Sequence, residues 1–243
     1  MSGLVIITGG SRGIGAATAI LLASQGWSAC ISYRDRAETA AEVVDACAAH
    51  GVDALAVRAD VAVEADVVNL FATAEAEFGP VRGLVNNAGV VAAKSTVAEL
   101  DAARINQVFA VNVLGAFLCA REAVRRMTAG AAIVNVSSRA AQLGSPGEYV
   151  DYAAAKAAVD TMTVGLAKEV AAGGIRVNAV RPGLIDTEIH ASGGQPDRAR
   201  RLGATVPLGR PGRATEVAEA IAWLLSDRAS YTTGAILDVG GGR

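Results

Sequence analysis

Cysteine, histidine and aromatic residues are scarce in this chain of 243 residues, and no long block of one charge sign interrupts it. Cys30, Cys47 and Cys119 are an odd set, far apart and without Cys-x-x-Cys spacing. That pattern excludes a disulfide framework and a zinc site and leaves buried, reduced thiols as the expectation. His50, before Gly51 at a helix end, and His190, in a polar loop, make neither a metal site nor a catalytic triad, so no metal is expected. The net charge is −2, with Lys and Arg spread among Asp and Glu, which gives no electrostatic footprint for nucleic acid or an anionic membrane. Hydrophobic residues make up 52% of the chain, mostly alanine and valine. Each apolar run stops short of the ~20 residues a membrane helix needs. Met1-Ser2-Gly3 followed by Leu4-Val5-Ile6-Ile7 lacks the basic leader and long apolar core of a signal peptide. The expectation is a soluble, cytoplasmic protein that handles small molecules, with no nucleic-acid and no membrane partner.

Against these absences stands a regular alternation of strand and helix patterns. Leu4 to Thr8 is a short continuous apolar run, the pattern of a strand buried on both faces of a parallel sheet. A glycine loop follows, then a helix from Ala16 to Ser24. Strands are expected at Trp27 to Tyr33, Ala54 to Arg58, Gly83 to Val85, Ala132 to Ser137, Arg176 to Val180 and Ala235 to Val239. Helices fall between them at Ala37 to Ala49, Val63 to Phe78, Leu100 to Met127, Tyr152 to Ala172 and Thr215 to Leu225. This pacing implies a single α/β domain over 1–243, a doubly wound Rossmann-type fold whose seven-stranded parallel sheet has helices on both faces. The segment 184–213, rich in Gly, Pro and Arg and periodic only around Asp197 to Leu202, is expected to be a substrate loop or lid.

Several motifs fall at the carboxyl ends of these strands, where such sheets bind ligands. In Thr8-Gly9-Gly10-Ser11-Arg12-Gly13-Ile14-Gly15, a strand runs through a glycine turn into a helix N-terminus, aiming backbone N–H groups and the positive helix end at an anion. The spacing Gly9-x-x-x-Gly13-x-Gly15 departs from the Gly-x-Gly-x-x-Gly fingerprint, and a bare tight turn is the alternative. After the second strand, where an acidic residue usually binds ribose hydroxyls, stands Tyr33-Arg34. Arg34 and Arg12 together can flank a 2′-phosphate, which favours NADP(H) over NAD(H). The alternative makes Arg34 a solvated loop charge and gives the acidic role to Asp35. Asp60-Val61 closes the third strand near the expected adenine, and Asn86-Asn87-Ala88-Gly89 permits close backbone approach to a ligand. Asn112, beside Gly115, sits at a poor place inside a long helix and suggests a local kink. Strand alternation sends Ser137 and Ser138 to opposite faces, so at most one belongs to a site.

Tyr152-Ala-Ala-Ala-Lys156 places a phenol and an amine on one helix face. A tyrosine exchanging protons near neutrality needs its anion stabilised by roughly 3 pH units, about 4 kcal/mol. An ammonium one turn away acts in that direction.

The ordered set Thr8-Gly9-x-x-x-Gly13-x-Gly15, Asn86-Asn87-Ala88-Gly89, Asn112, Ser138, Tyr152-x-x-x-Lys156 and Pro182-Gly183 resembles the short-chain dehydrogenase/reductase family over essentially the whole chain. It looks most like the members that include β-ketoacyl carrier-protein reductases and small sugar or alcohol dehydrogenases. The resemblance implies Tyr152 as proton donor or acceptor, Ser138 as the hydroxyl that holds the substrate oxygen, and Lys156 as charge and ribose ligand. It implies that Asn112 anchors a water leading protons to Lys156, and that Ile185 and Thr187, after Pro182-Gly183, contact the nicotinamide amide and phosphates. A homotetramer is also implied. The expected activity is hydride transfer between an NADP cofactor and a carbonyl or secondary alcohol. The substrate stays open: arginines at 198, 200, 201, 210 and 213 suit either a phosphate-bearing acyl thioester or a neutral alcohol. A catalytically idle dinucleotide sensor is the reading from another class, and the presence of Asn112, Ser138, Tyr152 and Lys156 together argues against it.

Overall fold

The computed structural model describes residues 3–243, apart from the side chain of His190. Met1 and Ser2, the start of the expected leaderless N-terminus, lie outside the described residues. The chain runs β1 (Leu4–Ile7), α1 (Gly13–Ser24), β2 (Ser28–Tyr33), α2 (Ala37–Ala48), β3 (Ala54–Arg58), α3 (Glu64–Phe78) and β4 (Val81–Asn86). It continues through α4 (Ala102–Phe109), α5 (Gly115–Arg126), β5 (Ala132–Val136), α6 (Ala140–Leu143), α7 (Val150–Val170) and β6 (Arg176–Pro182). The remainder is β7 (Ile185–Asp186), α8 (Ile189–Ser192), α9 (Arg198–Leu202), β8 (Gly212–Arg213), α10 (Ala214–Leu225) and β9 (Ile236–Val239).

Seven strands form one parallel sheet in the order β3-β2-β1-β4-β5-β6-β9. Strand alternation divides the core between its faces. From β1, Leu4 and Ile6 pack with Leu70 and Phe71 of α3 and Leu118 of α5. Val5 and Ile7 point the other way, onto Leu22 of α1, Val43 of α2 and Ile221 of α10. Both faces are covered, as the continuous apolar strands require. The strand order reverses at β1 and β4, which opens a crevice beyond their carboxyl ends.

Five local expectations change. Helix α1 begins at Gly13 rather than Ala16, so the end of the glycine loop is already its first turn. The expected helix from Leu100 to Met127 is two α-helices joined by a π-helical turn over Ala110–Leu114, and Asn112 sits inside that turn. The expected loop from Arg139 to Val150 contains α6, and segment 184–213 contains β7 pairing in parallel with β8, besides α8 and α9. His190 lies in α8 rather than in a loop.

Among the described residues, Ala102–Arg126 is one run long and apolar enough, by length and composition, to cross a membrane, which the reading of interrupted apolar runs did not anticipate. Here Leu118, Cys119 and Ala123 join the core against the sheet and Val108 is buried, and the run carries Arg104, Arg121, Glu122, Arg125 and Arg126.

Candidate active site

At the sheet's switch point, the ends of β1 and β4 are stitched together by side chains. The Thr8 hydroxyl accepts from the N–H groups of Asn87 (3.0 Å) and Ala88 (2.9 Å). In return, Asn87 Nδ2 donates to the carbonyls of Thr8 (2.8 Å) and Gly9 (3.0 Å). Gly9 and Gly13 have φ of +63° and +54°, a region that side-chain-bearing residues rarely adopt. At the entry to α1 the preceding residue, Arg12, gives no side-chain cap, and the first turn holds no acid. The N–H groups of that turn therefore face the crevice with the positive helix end, which fits an anion such as a diphosphate.

The crevice is a cavity of about 240 Å³ bordered by Gly9, Ser11, Arg12, Gly13 and Ile14 from the loop, Arg34 after β2, Asp60 and Val61 after β3, Asn87, Ala88 and Gly89 after β4, and Thr187. Asp35, the alternative to Arg34, also borders it, as do Ser32, Arg36 and Glu188, none of which was named for the site from sequence. Ser32 accepts from the Gly9 N–H (3.2 Å), a contact across elements that no local pattern announces. Arg36 bears on Arg12: burial and then the Arg36 charge hold the Arg12 guanidinium below its ordinary value. Arg34 donates from Nε to Asp35 (2.7 Å), with both side chains more than half exposed. The two alternatives for this position are thus bound to each other at the cavity rim.

A second cavity of about 390 Å³ adjoins the first through Ile14, Asn87, Gly89, Thr187 and Ile189. Ser138, Tyr152 and Lys156 line it, as do Pro182, Gly183 and Ile185. Both serines border the cavity, but they differ in what they do. The Ser137 hydroxyl is turned back onto the Lys156 carbonyl (3.2 Å), whereas the Ser138 hydroxyl is within hydrogen-bonding reach of the Tyr152 phenol.

Two expected residues border neither cavity. Gly15 lies behind the loop, where a Cβ would come within 2.6 Å of Asn87 Nδ2 and of the Gly9 carbonyl. Asn112, 1% exposed, lies behind Gly89, and a Cβ on Gly89 would be 2.8 Å from its Oδ1 and 3.3 Å from Lys156 Nζ. Its amide donates to the carbonyls of Val90 (2.9 Å) and Val108 (2.8 Å), and its Oδ1 accepts from the Val90 N–H (3.2 Å).

The electrostatics at Tyr152 run opposite to the sequence expectation. Burial pushes the phenol up to about 12, and the hydroxyl of Ser138 counters only part of that. Lys156 is itself pushed down to about 8 by burial, against the raising effect of Asp160. Its Nζ donates to the Val136 carbonyl (2.8 Å) and lies 5.8 Å from the centre of the Tyr152 ring.

Residues 9–243 match the family described as Enoyl-(Acyl carrier protein) reductase. An oxidoreductase of Escherichia coli, YgfF, is 52% identical with 99% of each chain covered. Cis-4-hydroxycyclohexanecarboxylate dehydrogenase of Sinomonas cyclohexanicum is 45% identical, over 98% of this chain and 95% of its own. Among solved structures, a short chain dehydrogenase from Burkholderia cenocepacia in complex with NADP superposes with a TM-score of 0.91 at 34% identity, covering 99% of this chain and 97% of that one.

Proposed function

Because the chain belongs to the short-chain dehydrogenase/reductase family and is an NAD(P)-dependent oxidoreductase of that family, we propose that it is an NADP-dependent carbonyl reductase or secondary-alcohol dehydrogenase with Tyr152 as its general acid and base. The observation that carries this reading is the joint presence of Ser138, Tyr152 and Lys156 on a 390 Å³ cavity that opens into the glycine-loop crevice. When bound, the dinucleotide supplies the hydride. The protein's part is binding, orientation and one proton.

Gly9, Ser11, Arg12, Gly13 and Ile14 hold the diphosphate at the uncapped start of α1, Asp60 and Val61 border the adenine, and Arg34 with Arg12 takes the 2′-phosphate. Arg36 adds a third guanidinium to that end of the crevice. Asn87, Ala88 and Gly89 form the floor, while Pro182, Gly183, Ile185 and Thr187 position the nicotinamide end, and Lys156 binds the ribose. Ser138 and Tyr152 hydrogen-bond the substrate oxygen, and in the reducing direction the Tyr152 Oη–H bond breaks as its proton passes to that oxygen. Asn112 shapes the turn behind Gly89, from which a water relays protons to Lys156. Segment 184–213 closes over the substrate as a lid, and the enzyme is a homotetramer. Relatives named as oxidoreductase and dehydrogenase leave the idle sensor without an observation in its favour.

The proposed substrate is a carbonyl compound or a secondary alcohol. The test is consumption of NADPH and of NADH with 4-oxocyclohexanecarboxylate, acetoacetyl thioester and simple ketones as substrates. Turnover of at least one of them with NADPH preferred supports the reading. Preference for NADH, or turnover with none while NADPH binds, contradicts it.

A further inference from the structure

Tyr152 is the third residue of α7, in the helical turn whose N–H groups have no partner within the helix and which frays most readily. Tyr149, just before the helix, provides no side-chain cap. An ion pair takes over that task. Asp151, whose side chain is 3% exposed, accepts from the Tyr152 N–H at Oδ1 (2.9 Å). The same carboxylate accepts from Arg104 Nε at Oδ2 (2.8 Å) and from Arg104 Nη2 at Oδ1 (3.3 Å). Arg104 is in the first turn of α4, where its own N–H donates to Asp101 Oδ1 (2.7 Å). Its Nη1 reaches the Ala93 carbonyl (2.5 Å), in the segment that follows Gly89 out of the cavity wall. One guanidinium therefore joins α4, the chain after β4 and the first turn of α7. Burial pushes the Asp151 carboxyl up, yet Arg104 and the Tyr152 N–H hold it below its ordinary value, so the pair stays ionised.

Burying two charges is costly, and such a pair is weak evidence for stability. What this pair accomplishes here is geometric: it ties down the backbone N–H of the residue that must present its phenol to the substrate. We propose that Arg104 and Asp151 are positioning residues for proton transfer, holding Tyr152 at its reacting distance from the substrate oxygen. The proposal rests on Tyr152 being the proton-transferring group.

Asp151→Asn keeps the side-chain volume and an acceptor but gives up the charge, while Arg104→Lys keeps the charge but loses the two-pronged grip. Both variants, their double and Tyr152→Phe are assayed with NADPH and a carbonyl compound that the panel above shows to be turned over, with kcat normalised to the sites titrated by NADPH fluorescence. Misplacement of a reacting group by an ångström costs on the order of a hundredfold, so we expect Asp151→Asn to lower kcat by about tenfold or more. KM for NADPH should stay within about twofold, because ground-state cofactor binding is untouched. Arg104→Lys should lose less, and the double should be no worse than Asp151→Asn, since both act through one contact. A native kcat in Asp151→Asn with only a lowered melting temperature would overturn the proposal and leave the pair a structural brace. Native turnover in Tyr152→Phe would instead overturn the role of Tyr152, and this proposal with it.

Discussion

Lys156 carries its ammonium to a place where it is 4% exposed, and its titration there is a measurable property of the fold. Burial lowers it from 10.5 to about 8. Below pH 8 the group is charged in both folded and unfolded protein, and the folded state bears the desolvation. Between pH 8 and 10.5 the folded protein has released the proton that the unfolded chain still binds, so stability gains a rising contribution over that window. Tyr152, raised from 10 to about 12, contributes the opposite slope only above pH 10. Urea unfolding of the cofactor-free protein and of Lys156→Met at pH 7.5 and 9.5 measures this. The variant's stability relative to the native protein should fall as pH rises, and a difference independent of pH contradicts it. At the other end of the cleft, Arg34→Ala should raise KM for NADPH about three- to fivefold, the range of an exposed ion pair worth under about 1 kcal/mol, with KM for NADH unchanged. Equal loss for both cofactors would make Arg34 a surface charge. That Tyr152, Lys156 and Ser138 border one cavity was readable because motif spacing maps directly onto one helix face and one strand end. The sign of the Tyr152 shift was not, because it depends on burial depth, which spacing alone does not encode. Arg36 and Ser32 escaped for a related reason: they enter the crevice through packing of β2 and its loop against the glycine turn.

The π-helical turn of Ala110–Leu114 explains why a polar residue sits inside a long apolar helix. Its wider winding is where Asn112 reaches both Val108, one turn back, and Val90, in the chain leaving β4. Gly89 completes the arrangement, since a side chain there would strike Asn112 and crowd Lys156. Asn112→Ala would leave the half-buried Val90 carbonyl and the buried Val108 carbonyl without that donor, at about 1–3 kcal/mol for the buried one. Melting temperature and kcat should both fall, while a variant as stable as the native protein would show that the turn does not depend on the amide. The sequence flagged this place through one misplaced polar residue beside Gly115, though not the form the irregularity takes. The strands of the sheet were legible from their apolar runs. In segment 184–213 the periodicity around Asp197 to Leu202 falls on α9, but β7 and β8 were not legible, because they pair only with each other and span two residues each, too few for any periodicity.

For the molecule as a whole, the outer side of α4, the π turn and α5 leaves Ile105, Leu114 and Phe117 exposed at 38%, 48% and 51%. Large apolar side chains left exposed along this run suit burial between subunits, in keeping with the proposed homotetramer. Light scattering at micromolar concentration should therefore report four copies of the 24.5 kDa chain, and Phe117→Glu should lower that mass. A monomer from the native protein would contradict the assembly. The alternation that implied a doubly wound sheet held across the full chain, because both-face burial dictates continuous apolar strands and amphipathic covers. The proposed assembly and lid involve surfaces whose sequences carry no such constraint. The proposed proton transfer depends on the Tyr152 hydroxyl, and replacing tyrosine by phenylalanine removes that oxygen alone. With NADPH and a substrate that the native enzyme turns over, Tyr152→Phe should lower kcat by at least ~10²-fold while still binding NADPH as the native enzyme does, and a variant that keeps near-native kcat would contradict it.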